Sequence, residues 1–283
     1  MRWGRFYSGG FFIAVLLMGW FAACSTAPKK AAEIRVQRDG AEKQLELANQ
    51  QAERGDFDGA LALLEMARQL AVTADDPYLR VRTALSRGNV FFYQGKREEA
   101  VVEWVRALAE AEAAGDVELV ASARIYSARG RLLSAIAEGN STQAAASVKA
   151  DVSREMGRIK KDRLSIALGW TVIGLAEKES RRFADGEAAV KKALDIHQKG
   201  NYLEQAAYDW YIIASIRSMA GNYPSAAAAL EEAIALDRRA ENSWGLAMDW
   251  RALGEVYRKA GRNGEADVAA ARSEEILSAL QGN

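Results

Sequence analysis

The chain has 283 residues, 38 basic and 38 acidic side chains, and a formal net charge of zero. That balance offers no basic face to a nucleic acid, and a single cysteine excludes an intramolecular disulfide or a cysteine-built zinc site. Only three prolines occur, while alanine, glutamate, leucine and arginine dominate and alternating β-branched runs are missing, so the composition favours an all-α protein.

In chain order, Arg2 and Arg5 precede an apolar segment at 11–23 that ends in small residues, followed at once by Cys24. As a helix this segment would be about 20 Å long, short of the roughly 30 Å hydrocarbon core. It reads as the apolar part of a signal peptide, not as a membrane span. The ending Phe21, Ala22, Ala23, Cys24 resembles the lipobox of bacterial lipoproteins, with Phe21 in place of the usual leucine. The resemblance implies removal of 1–23, acylation of Cys24 (palmitate among the chains), and attachment to a membrane of the cell envelope. Each buried methylene contributes about 0.8 kcal/mol, so a multiply acylated cysteine anchors where one chain would not. Ser25 stands where an aspartate would signal retention in the inner membrane, which points to the outer membrane, facing the periplasm. Residues 24–32 then form the lipidated cysteine and a short tether, and 33–283 the working domain.

Beyond the tether, Trp170, Trp210 and Trp250 recur at intervals of forty and open the octets WTVIGLAE, WYIIASIR and WRALGEVY. Gly55, Gly95, Gly139, Gly221 and Gly261 mark a second register, with Arg181 in the one slot lacking glycine. Such glycines suit a chain turning through positive φ after a helix. Asp56, Asn140 and Asn222 follow three of them as expected N-caps, and Asp76–Pro77 reads as N-cap and N1. The predicted unit is helix A, glycine turn, helix B, short turn. Phe57, Ala60 and Leu64, then Ala100 and Trp104, then Tyr223, Ala226 and Leu230, recur in order along the B helices.

Trp250, Leu253, Gly254 and Tyr257, followed by Gly261 and Ala266, resemble the tetratricopeptide repeat (TPR) signature, as do Gly88, Gly95, Ala100, Trp104 and Ala107. The resemblance covers about 33–280 in six repeats. It implies an all-α, right-handed superhelical solenoid of helix-turn-helix units. The period is about 40 residues instead of 34, and the closing proline of the signature is missing, so the curvature of the common form is not assumed. Trp170, Trp210 and Trp250 are expected in the core between helices A and B, with Gly88 and Gly254 as packing glycines.

Chemistry is hard to find. His197 is the only histidine, expected at the surface or half-buried on a B helix, with no visible partners for a triad or a metal site. No nucleophile elbow, phosphate loop or zinc-protease motif occurs. Glu98–Glu99 and Glu231–Glu232 read as solvated faces. The expectation is a non-enzyme with no cofactor and no metal.

A solenoid works through the surface its stacked units create. By the TPR resemblance the concave face carries Tyr208, Tyr211, Ser215, Met248, Arg251 and Glu255, and in the second unit Arg82, Leu85, Asn89 and Tyr93. Asn89 and Arg82 are similar to members of the carboxylate clamps some such domains use, without the clamp lysines. The expected function is a lipid-anchored envelope scaffold that docks a protein or peptide and assists envelope assembly, a secretion or pilus system, or cell-wall machinery. The alternative is a small-ligand accessory of a solute transporter, lined by Tyr208, Tyr211, Met219 and Met248. Ile276, Leu277 and Leu280 of the last helix are expected either to cap the array or to pair two molecules.

Overall fold

A computed structural model describes residues 35–281. The segment expected to be a signal peptide, Cys24 and the expected tether lie outside the described residues. Twelve helices fill the described chain: α1 (Val36–Glu53), α2 (Phe57–Thr73), α3 (Pro77–Tyr93), α4 (Arg97–Ala114), α5 (Val117–Ala137), α6 (Ser141–Met156), α7 (Arg163–Glu179), α8 (Phe183–Lys199), α9 (Leu203–Met219), α10 (Tyr223–Ala240), α11 (Ser243–Lys259) and α12 (Asn263–Gln281).

The boundaries follow from local chemistry. Asp56, Asp76, Asp116, Asp162, Asn222 and Asn242 each accept the backbone N–H three residues on, satisfying a donor the helix would otherwise leave bare. Asn140 does not cap its helix as expected. Its amide donates instead to Glu138 at 3.1 Å, and the neighbouring carboxylate has drawn the side chain away from the helix end. The ladder glycines hold φ between 76° and 82°, and Arg181 enters the same region at 57°, which explains why the fourth unit turns without glycine.

Consecutive helices pair as α1–α2 through α11–α12, and the pairs stack. The layers sort themselves by parity. Each odd-numbered helix touches the next odd-numbered one, and no two even-numbered helices touch. Odd helices therefore form the inner layer and even helices the outer one. The inner layer also returns on itself, because α1 touches α11. There the Phe57 and Trp244 rings meet edge-on at 5.0 Å, and Leu280 of α12 packs on Gly55 of the first turn. Leu280 thus joins the two ends of the array.

Alanine stripes bring the paired helices close while single large residues fill the gaps. Ala60, Leu64, Ala67, Ala100, Trp104 and Ala107 are fully buried. Trp104 docks on α3, its Nε1 donating to the Leu85 carbonyl at 3.3 Å. The expectation for Leu85 is corrected here, since it is buried in that contact and does not line the concave face. Gly88 exists to admit Trp104: a β-carbon there would lie 2.3 Å from the indole nitrogen and 3.0 Å from the Ala100 carbonyl oxygen. Gly88→Ala is therefore expected to destabilise by about 1–2 kcal/mol, overpacking outweighing the roughly 1 kcal/mol gained in helix propensity. Gly264→Ala, with open space around it, is expected to stabilise by up to about 1 kcal/mol. Denaturant midpoints of the two variants should move in opposite directions.

Candidate functional site: the inner face of the array

The inner layer places residues of distant repeats opposite one another. Arg129 on α5 is the centre of this arrangement. Its guanidinium carbon lies 4.8 Å from the Phe92 ring, 5.3 Å from Trp104 and 5.9 Å from Tyr208 of α9, two repeats away. Its Nη1 donates to Asn89 Oδ1 at 3.3 Å. The Asn89 side chain also meets the Tyr126 hydroxyl, and Arg82, stacked over Tyr78 at 5.4 Å, adds positive charge nearby.

Tyr93 reports the character of this space. It keeps 40% of its surface in water, yet burial pushes its hydroxyl up to about 12, with Tyr208, Tyr126 and Glu53 acting in the same direction and Arg129 opposing. Tyr93 is thus a partly wet side chain crowded by its neighbours on the inner face. Tyr208 and Tyr211 stack at 6.2 Å with their planes 9° apart. Burial raises the Tyr211 hydroxyl as well, and Glu255 and Arg251 of α11 act on it from the next repeat. Ser215 accepts Lys178 Nζ at 3.3 Å, and Met248 is half-buried.

The predicted residues thus fall into two neighbouring groups on the inner face. Asn89, Tyr93 and Tyr208 gather around Arg129, while Tyr211, Arg251 and Glu255 extend toward the last repeat. Arg129, Tyr126 and Glu53 escaped the sequence reading. The period could have found the first of them, since Arg129 lies forty residues after Asn89 in a repeat whose other landmarks are degenerate.

Two expectations about buried groups are corrected. His197 is neither superficial nor without partners. It is buried, its Nδ1 lies 2.6 Å from Asp209 Oδ2, and Asp209 also accepts Thr171 Oγ1 at 2.9 Å. Three helices, α7, α8 and α9, contribute one group each, so the trio fastens the fourth repeat to the fifth. No substrate could reach Asp209, which is wholly inaccessible. Second, Trp170, Trp210 and Trp250 pack against the core as expected but stay half-buried, unlike fully enclosed Trp104. Cations cover the outer faces of two of them: Lys192 sits 4.0 Å from the Trp170 ring, and Arg238 and Arg272 flank Trp250 at 5.6 and 5.2 Å.

Trp250, Leu253 and Tyr257 form one side of an open cleft of about 410 Å³ between α10, α11 and α12. By helical spacing this is the face of α11 opposite Met248, Arg251 and Glu255. The cleft does not involve Tyr208, Tyr211, Met219 or Met248. Among the described residues no cluster of three or more His, Cys, Asp or Glu is arranged to hold a metal ion, and no helix is long and apolar enough to cross a membrane.

No family model matches the chain, and no curated protein is similar to it in sequence. Solved structures are similar in fold. A Rap protein solved in complex with Competence and Sporulation Factor superposes with a TM-score of 0.58 at 13% identity, covering 86% of this chain and 78% of that one. BtubC from P. vanneervenii gives 0.49 at 19% identity over 86% and 93% of the two chains. A Podospora anserina kinesin light chain described as having TPR-like repeats gives 0.38 at 14% identity over 89% and 100%. The described chain is an all-helical solenoid of TPR-like helix pairs.

Proposed function

We propose that this protein is a lipid-anchored scaffold of the bacterial envelope that holds a protein or peptide partner against its inner face. The observation that carries the reading is the aromatic and cationic lining shared by distant repeats, with Arg129 and Tyr208 facing each other 5.9 Å apart. Tyrosine and arginine contribute most per residue to protein interfaces, because they bury area while keeping a polar tip. The Rap protein of similar fold was solved with Competence and Sporulation Factor bound, which supports a binding role for this architecture. Cys24 after an apolar segment with basic flanks supports the anchor, and Ser25 supports the outer membrane as its destination.

The test is crosslinking in living cells followed by mass spectrometry. The wild-type chain should capture a defined envelope protein. Tyr211→Ala combined with Arg251→Ala should abolish that capture while the chain remains folded by circular dichroism. Cys24→Ser should move the protein from the membrane to the soluble fraction. Capture that survives the double substitution would remove the inner face from the interaction.

A further inference from the structure

The outer layer carries a second site, independent of the inner face. No two even-numbered helices touch, so consecutive ones leave a groove floored by the odd helix between them. Between α10 and α12 that groove is the cleft of about 410 Å³ over α11, a volume at the small end of ligand sites. Its middle is apolar. Ile234, Leu253 and Ala269 are buried beneath it, and Val268 on its wall keeps 58% of its surface in water.

The two ends of the cleft differ in charge. Arg238 and Arg272 stand at one end, 5.6 and 5.2 Å from the Trp250 ring. Neither makes an ion pair or a side-chain hydrogen bond among the described residues. Stacking on an indole holds a guanidinium by its face and leaves its N–H edge for an acceptor. Glu231 and Glu265 stand at the other end, two helical turns or about 10 Å back along α10 and α12. There Glu231 accepts the Tyr257 hydroxyl at 3.5 Å, and Glu265 pairs with Arg262.

The same groove one repeat earlier is built otherwise. Forty residues before Arg238, Tyr257 and Arg272 stand Gln198, Arg217 and Glu232. Arg217 bridges that groove, donating to Glu187 on α8 at 2.7 Å and to the Ser225 carbonyl on α10 at 3.1 Å. The fold alone therefore accounts for a groove, but not for an open one with two unpaired cations over a tryptophan.

We propose that this cleft binds a small amphipathic carboxylate: a single acyl chain whose head lies between Arg238 and Arg272 and whose chain runs over Leu253 and Val268 toward Tyr257. The two guanidinium forks match the head, and the apolar middle matches the chain. Glu231 and Glu265 repel a second anionic group at the far end, so the charge difference also sets the direction in which the chain lies.

The experiment is calorimetric titration of the purified full chain with decanoate, kept below the concentration at which it aggregates, beside decyltrimethylammonium and acetate. The first control shares the chain without the negative head, and the second shares the head without the chain. Decanoate should bind at least about tenfold more tightly than either, and Arg238→Gln combined with Arg272→Gln should weaken it about tenfold or more. Both arginines are exposed, so the melting temperature of that variant should scarcely move. Val268→Asp, also at an exposed position, should weaken decanoate with both arginines in place. Absence of decanoate binding, equal binding of either control, or affinity unchanged by the paired arginine substitutions would overturn the proposal. Each of those results would leave the inner-face reading standing, because Met248, Arg251 and Glu255 lie on the opposite face of α11.

Discussion

Asp209→Ala is expected to lower the unfolding free energy by on the order of 3 kcal/mol, from the loss of a buried carboxylate's hydrogen bonds and the cost of leaving a partner unpaired in the interior. Asp209 is wholly inaccessible and accepts from Thr171 at 2.9 Å, with His197 Nδ1 2.6 Å away. The substitution strands an imidazole in the interior without its partner and leaves a small cavity, while the Thr171 hydroxyl falls back on the Ala167 carbonyl at 3.2 Å. Burial pushes the Asp209 carboxyl upward, and the bonds from His197 and then Thr171 pull it back. The carboxylate is thus held by its partners against the cost of desolvation. Lys199–Asp195, only two residues from His197, gives the contrast. Both of its side chains are well exposed, and such pairs contribute about 0.2–1 kcal/mol, so Asp195→Ala should scarcely move the transition. Urea titration of the two variants measures both. A loss below about 1 kcal/mol for Asp209→Ala would mean that the network does not fasten the fourth repeat to the fifth.

The second large effect is on pH dependence, and it comes from the same slots one repeat later. Forty residues after His197 and Asp209 stand Asp237 and Asp249, so the pair between the fifth and sixth repeats has two acids where the preceding one has an acid and a base. Both are buried. Burial is the first cause in each case, pushing Asp237 up to about 7 and Asp249 up to about 9, with Glu204 of α9 adding to the former and Asp237 itself to the latter. Each carboxyl acts on the other, so the buried pair keeps a proton well above the usual carboxylate range, and Asp237 Oδ1 also accepts the Asn242 amide at 2.9 Å. Glu53 at the end of α1 is raised to about 7, by burial first and then by Glu204 and Asp237, with Arg54 opposing.

The folded protein keeps protons that the unfolded chain releases near pH 4, so their contribution is fully present below that value and is lost as pH rises through the folded values. The unfolding free energy should therefore fall between about pH 5 and 9. Asp249→Asn keeps a donor toward Asp237 and removes a charge. The variant should show a shallower slope and be more stable than wild type at pH 8.5 by on the order of 2 kcal/mol, since each tenfold difference in proton affinity between the folded and unfolded chain is worth about 1.4 kcal/mol. Thermal melts across this window would show it, and an unchanged slope would mean that the pair does not share a proton.

The forty-residue spacing of tryptophans and turn glycines made the helix pairs legible, because both signals are local. A glycine reports the φ of its own turn, and an aspartate before a helix reports its own cap. Asn140 shows where that logic fails, since the nearby Glu138 competes for the same side chain. The buried pairs failed for a different reason. His197 and Asp209 are twelve residues apart on different helices, and only stacking of α8 on α9 brings them together. The inner face was half legible. Helical phase places Asn89, Tyr93, Tyr208 and Tyr211 on it, and Arg129 stands one period after Asn89, but only the curvature brings α5 opposite α9 and Arg129 up to Tyr208. No local pattern encodes how far six repeats bend.

That bend has a further consequence, through the contact of α1 with α11. An open solenoid is a linear lattice: its ends fray first, and a repeat gained or lost by duplication or deletion costs one interface. Here the lattice is cyclic. Phe57 against Trp244 and Gly55 against Leu280 give the terminal repeats neighbours on both sides, so neither end is free to fray as in a linear array. The copy number is locked as well, for an added unit would force the join apart and an array short of one unit could not reach it. Length variation that other repeat arrays tolerate would, in this protein, be a break in the circle.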